Sequence, residues 1–230
     1  MKKVVVFMLS LVIVFSSFTM VSAAAIKIPK AKIKIDGKEK DWKKIKKNSV
    51  TKSIFGSKLD YPWWVKIAHN GKDTIYLRAQ VKYPSSIGPY SIKPANSPSW
   101  FQDDVIEFWV MNKMPESSME YKLITKNTHY AWSSKYSFAA KDVEGLLATK
   151  ATKTKWFNKP SKAEFGIESS IKLKDAKMKK AIKKGKSLYI AIGYECNSGG
   201  AENSLYMNGS TGVDFWESYG SVRKVTFSKK

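Results

Sequence analysis

A stretch that alternates polar and apolar side chains is satisfied by a strand with one face in a core. "WWVKIAHN" (Trp63–Asn70) and "TIYLRAQVKY" (Thr74–Tyr83) both carry that alternation, and the "GKD" between them is a turn signal. The pair reads as a β-hairpin. "KIKID" (Lys32–Asp36) reads as an opening strand. "DVIEFWVM", "MEYKLITK" and "HYAWSSK" read as a meander. "AEFGIESSIKL" (Ala163–Leu173), "SLYIAIGYEC" (Ser187–Cys196) and "YGSVRKVTF" (Tyr219–Phe227) read as further strands. The one helix expected is "KDAKMKKAIKKGK" (Lys174–Lys186), short and lysine-laden. Many short strands joined by turns predict an all-β chain: a β-sandwich of jelly-roll or immunoglobulin-like type, with one short helix. Residues 84–99 and 197–214, rich in Pro, Ser, Gly and Asn, read as long surface loops, the usual carriers of function.

The first 25 residues stand apart. "MKK" is a positive start, "VVVFMLSLVIVFSSFTMV" is uncharged and apolar, and Ser22–Ala25 supplies the small residues that signal peptidase cleaves after. A signal peptide over 1–25 and one domain over 26–230 are expected, with a membrane anchor as the alternative reading of the apolar run. Removing Lys2 and Lys3 lowers the formal charge only from +22 to +20. Such a surface suits anionic cell-wall polymers, acidic polysaccharides or lipid headgroups, unless the lysines are only a solvated coat. Nucleic acid is not an expected partner of an exported chain. The expected product is a secreted monomer, with cell-wall association as a further reading. Cys196 is the only cysteine, so no intrachain disulfide is available and the core must hold the fold.

Catalytic signatures are missing from the sequence. His69 and His129 have no metal-type spacing, and there is no nucleophile elbow, phosphate loop or cysteine pair. Asp103, Asp104 and Glu107 lie within five residues of one another, too close in sequence to read as the two carboxylates that flank a glycosidic bond. The chain therefore reads as a non-enzyme. Asp36, Asp41, Asp60, Asp103 and Asp104 are oxygen donors for a structural calcium, without EF-hand spacing. A haem would need an axial pair such as Met207 with His69 or His129.

A sugar site explains more of the sequence. Sugars offer C–H faces to aromatic rings and hydroxyls to planar polar groups. Trp100 ends the first long loop beside Gln102, Asp103 and Glu107; Trp216 ends the second beside Asp214 and Glu217. The competing reading puts both tryptophans in the core. Trp42, Trp64 and Trp109 fit the core reading better, although Trp109 shares a strand face with Glu107, which would leave it partly exposed.

The same residues carry a resemblance. "IDGKEKDW" (Ile35–Trp42) resembles an opening "IDG…W" signature. "WFQDDVIEFWV" (Trp100–Val110) resembles a "W-x-x-D-S-V-E-I-F-I-D" core strand, its glutamate one step later. "AEFGIESSIKL", "LYIAIGYECN" and "DFWESYGSVRKVTF" resemble the later strands in order, the last with a shortened spacer. Together these resemble the family 9 carbohydrate-binding modules, within the DOMON-like β-sandwiches. The resemblance implies that Trp100 and Trp216 stack on the two sides of a sugar. It implies that Glu107 binds ligand, that Lys122 stands where the family has an arginine, and that Asn197 or Glu195 supplies a late polar contact. It also allows a structural calcium, and other DOMON-like relatives bind haem, the alternative function.

Overall fold

The computed structural model describes residues 26–52, 58–82, 105–117, 129–133, 152–159, 164–196, 203–206 and 222–229. The strands are β1 (Ile26–Ile28), β2 (Asn48–Lys52), β3 (Lys58–His69), β4 (Thr74–Lys82), β5 (Val105–Met111), β6 (His129–Ser133), β7 (Thr152–Lys159), β8 (Glu164–Lys172), β9 (Ser187–Cys196), β10 (Asn203–Tyr206) and β11 (Arg223–Phe227). The helix α1 spans Ala176–Lys184, and Lys40–Trp42 forms a short 3-10 turn. A front sheet runs β1-β11-β9-β5-β6 with β10 on β9, and a back sheet runs β2-β3-β4-β8-β7. All pairings are antiparallel except β1 with β11. Among the described residues this is the expected β-sandwich with one short helix. No helix among the described residues is long and apolar enough to cross a membrane.

Alternation places the core between the sheets. Trp63, Val65 and Ile67 of β3, Ile75, Leu77, Ala79 and Val81 of β4, and Ile106, Phe108 and Val110 of β5 share one buried cluster. A polar link spans the gap: Trp132 Nε1 of β6 donates to Thr154 Oγ1 of β7 at 3.1 Å, and Thr154 meets Ser169 of β8 at 3.0 Å. These buried polar groups are thereby satisfied.

The hairpin turn and the helix follow local chemistry. Asn70 Oδ1 accepts from the backbone N–H groups of Lys72, Asp73 and Thr74 at 2.8–3.0 Å, and Gly71 takes φ +78°. In α1, the Asp175 side chain accepts from Met178 N at 2.8 Å, and Gly185 closes the helix at φ +65°. Met178, Ala181 and Ile182 are its buried stripe.

The reading of Lys32–Asp36 as a strand is corrected. Its backbone donors go to carboxylates rather than to a ladder: Lys34 N to Asp41 at 2.9 Å, and Asp36 N and Gly37 N to Glu168 at 3.1 and 2.7 Å. The segment 31–46 is instead a strap across the outer face of the back sheet. Ile33, Trp42 and Ile45 bury themselves there against Ala68, with Ile35 and Tyr76 alongside. Beneath the strap, Arg78 of β4 pairs with Glu168 of β8, both enclosed, and the Phe157 ring centroid lies 4.0 Å from the guanidinium carbon. Gly166 makes room for that ring, because a Cβ there would lie 2.4 Å from Phe157 Cζ and 2.3 Å from the Ala79 carbonyl oxygen. The 197–214 stretch, expected to be all loop, contains β10, and β2 and β7 had no counterpart in the sequence reading. Trp42 and Trp109 are buried as the core reading held, but Trp64 is half-buried, with the Lys47 and Lys66 ammonium groups 5.1 and 5.6 Å from its ring.

Two outcomes are expected. Arg78→Met leaves Glu168 buried without its cation, and urea unfolding should show a loss of about 3–5 kcal/mol; a loss under about 1 kcal/mol would mean the pair is dispensable. His69 is fully enclosed, its Nδ1 accepting from Gly71 N at 3.0 Å. Burial above all holds its pKa below the ordinary 6.5, with Lys30 adding to that effect and the Ser228 and Ile28 backbone opposing it. The unfolded chain therefore takes up this proton first as pH falls. His69 contributes its full stability above about pH 6.5, and loses it as pH drops toward the lowered folded-state value. The melting temperature should fall between pH 7 and pH 5.5, less steeply in His69→Asn, which keeps an acceptor for Gly71.

Candidate functional site

β5 runs between β9 and β6, and its outward residues look away from the sandwich core. Glu107 lies in register with Gly193 on one side and Ala131 on the other. Its neighbours in register are therefore a glycine and an alanine. Yet Glu107 is only 1% exposed. A buried carboxylate is costly unless it is hydrogen-bonded or paired.

Two residues along, Trp109 aligns with Ala191, and Met111 aligns with Tyr189. Trp109, Met111, Ala191 and Val222 form a separate apolar cluster, with Tyr189 packed against it. The outer face of the front sheet thus has two zones: an apolar floor toward the end of β5, and a carboxylate toward its start. This settles Trp109 as a core-like residue on the outer side of the sheet, 2% exposed, and not a partly exposed one.

Val105 pairs with Glu195, so the chain enters β5 and leaves β9 at one end of the front sheet. In sequence, Gln102 and Asp103 come just before that entry and Asn197 just after that exit. Trp100, Gln102, Asp103, Lys122, Asn197 and Trp216 all lie outside the described residues, so Glu107 and the alternative late residue Glu195 are the expected site residues given a described position. Glu195 occupies a register position on β9 between Val105 and Ser204. Gly193 was not singled out as a site residue; the "IGY" triplet in a strongly β-forming strand was its only trace, since glycine in a strand interior marks a close approach.

The metal readings meet other duties. Asp36 and Asp41 accept backbone N–H groups within the strap. Among the described residues no three His, Cys, Asp or Glu side chains cluster closely enough to hold an ion. His69 has no exposed surface, and Phe227 packs edge-on against it at 5.1 Å, so it has no opening toward a haem.

No family model matches the sequence, and no curated protein matches it. The fold does have solved likenesses. A family 9 carbohydrate-binding module from Caldicellulosiruptor kristjanssonii, in complex with cellotriose, superposes with TM-score 0.66 at 14% identity, over 90% of this chain and 94% of the other. A module of the same family and organism, in complex with glucose, gives 0.63 at 14% identity, over 90% and 96%. At that identity the likeness is one of fold: the same two-sheet sandwich, over nearly the whole of each chain.

Proposed function

We propose that this chain is a secreted, non-catalytic protein that binds carbohydrate, holding a sugar between Trp100 and Trp216 with Glu107 accepting from its hydroxyls. The observation that carries the reading is Glu107 itself. A carboxylate stands in mid-sheet on an outward face, beside Gly193 and Ala131, in the strand that "SPSWFQDD" leads into. Support comes from the solved sandwiches of the same architecture, which hold cellotriose and glucose.

The chemistry fits a neutral sugar. Hydroxyls need planar acceptors, and a carboxylate held away from water offers stronger hydrogen bonds than an exposed one. Tryptophan faces supply apolar contact to pyranose C–H groups and lose little side-chain entropy on binding. Glu107 is enclosed, and the walls of the site are assigned to the segments that adjoin β5 and β9 in sequence. Gln102, Asp103, Lys122 and Asn197 are the polar residues assigned to those walls, with Lys122 a point charge where a fork-shaped arginine would bind in two-pronged fashion.

Calorimetric titration with glucose and cellotriose tests the clamp. Trp100→Ala and Trp216→Ala should each cost about 2 kcal/mol, well over tenfold in affinity, while the melt stays cooperative and close to the parent's. Glu107→Gln should weaken binding less than either. Trp42→Ala should do the reverse, keeping affinity but losing roughly 3–5 kcal/mol of stability through the cavity it leaves. If Glu107→Gln shifts the melt and leaves affinity untouched, the carboxylate is structural. Parental affinity in both tryptophan variants would remove the clamp.

A further inference from the structure

A cleft of about 750 Å³ opens on the opposite side of the molecule, between the strap and the outer face of the back sheet. One wall is the sheet. Register places Tyr76 of β4, Ser170 of β8 and Lys153 of β7 in one cross-strand row, with Thr74 and Lys172 in the next. The other wall is the strap. Ile33 and Ile35 pack in the cluster with Trp42, and Lys32, Lys34 and Asp41 line the cleft beside them.

Four lysines therefore converge on one concavity against one carboxylate. All four are exposed, and among the described residues none of them is in an ion pair. A solvated coat would spread such charges apart; convergence in a cleft concentrates the field and attracts anions. The cleft also offers what a sugar needs. Tyr76 is half-buried and lines it, and Thr74, Ser170 and Asp41 supply hydroxyl and carboxylate partners. The volume lies within the roughly 300–1,000 Å³ typical of ligand sites, so it takes a short oligosaccharide segment. A concave site suits a chain of rings better than a flat lipid surface. An acidic residue in the wall suits sugar hydroxyls better than a run of phosphodiesters.

We propose that this cleft binds an anionic glycan, with a pyranose on Tyr76 and its acidic groups on Lys32, Lys34, Lys153 and Lys172. The site lies on the other sheet from Glu107 and does not rest on the neutral-sugar reading. The acidic group is a carboxylate, sulfate or phosphate.

The test is titration of the full chain with tetragalacturonate, its methyl ester, a chondroitin sulfate tetrasaccharide and a phosphorylated maltotetraose. At least one anionic probe should bind, the tightest naming the acid, and the neutral ester should bind tetragalacturonate's site at least tenfold more weakly. Lys153→Glu with Lys172→Glu should lower anionic affinity at least tenfold. Lys27→Glu with Lys224→Glu, on the front sheet and equal in net charge, should lower it less than threefold. Tyr76→Leu should weaken binding at least fivefold with the melt retained. Equal losses in the two charge-reversal pairs would mean a diffuse coat and overturn the site. So would no binding to any anionic probe, or tighter capture of duplex DNA or anionic vesicles through Lys153 and Lys172. Unchanged affinity in Tyr76→Leu would overturn the pyranose assignment. Trp100→Ala should leave anionic binding unchanged, which keeps failure here distinct from failure of the clamp.

Discussion

The outer face of the back sheet is organised by one buried ion pair, Arg78 with Glu168. Glu168 also accepts from Asp36 N and Gly37 N, and Arg78 donates to the Gly37 carbonyl at 3.4 Å. A charge pair in the interior returns little net stability once desolvation is counted. Its effect here is positional: it fixes where the strap crosses the sheet. From that crossing follow the burial of Trp42 against Ala68, the seat of Lys66 on the Trp42 carbonyl at 3.0 Å, and the open ground in front of Tyr76. Phe157 seals one side of the guanidinium, and Gly166 is the space that lets it do so.

The two outer faces solve the same problem differently. A sheet with one face in the core must still cover or solvate the other. The back sheet carries charge there and covers it with a strap whose backbone supplies the missing hydrogen bonds. The front sheet uses Trp109, Met111, Ala191 and Val222 as a second apolar layer and carries the carboxylate of Glu107 in register with Gly193 and Ala131. These are two chemically distinct surfaces on one scaffold. Each has a rigid floor of strands, which is what a binding site needs to hold its geometry without paying to order it.

Much of the fold was legible because alternation is a local property. The hairpin of β3 and β4, the strands β5, β8, β9 and β11, and the lysine-rich helix all sit where the residues predict them, the helix trimmed at both ends by its Asp175 cap and Gly185 stop. The misses have a common cause. Lys32–Asp36 alternates as a strand should, but Asp41 takes the backbone donor of Lys34, and Glu168, more than a hundred positions away, takes that of Asp36. β10 is found inside a Gly- and Asn-rich stretch because the free edge of β9 offers it a ladder. Trp64 looked like core by its neighbours, yet its register on β3 turns it outward between two lysines. Of the candidate site, Glu107 could be read from its motif. Gly193 and Ala131 could not, since their importance lies in sharing a register with it.

The sequence by itself determined the class of fold, the strand periodicity, the presence of the lysine-rich helix and the excess of positive charge, because each depends on residues within a few positions or on composition alone. Tertiary structure alone decided which faces are covered, that Arg78 and Glu168 meet, that a glycine and an alanine flank Glu107, and that four lysines scattered over 32–172 converge beside one tyrosine. Those are consequences of register and sheet order. Both are set by packing between distant segments, and no local pattern in the chain encodes them.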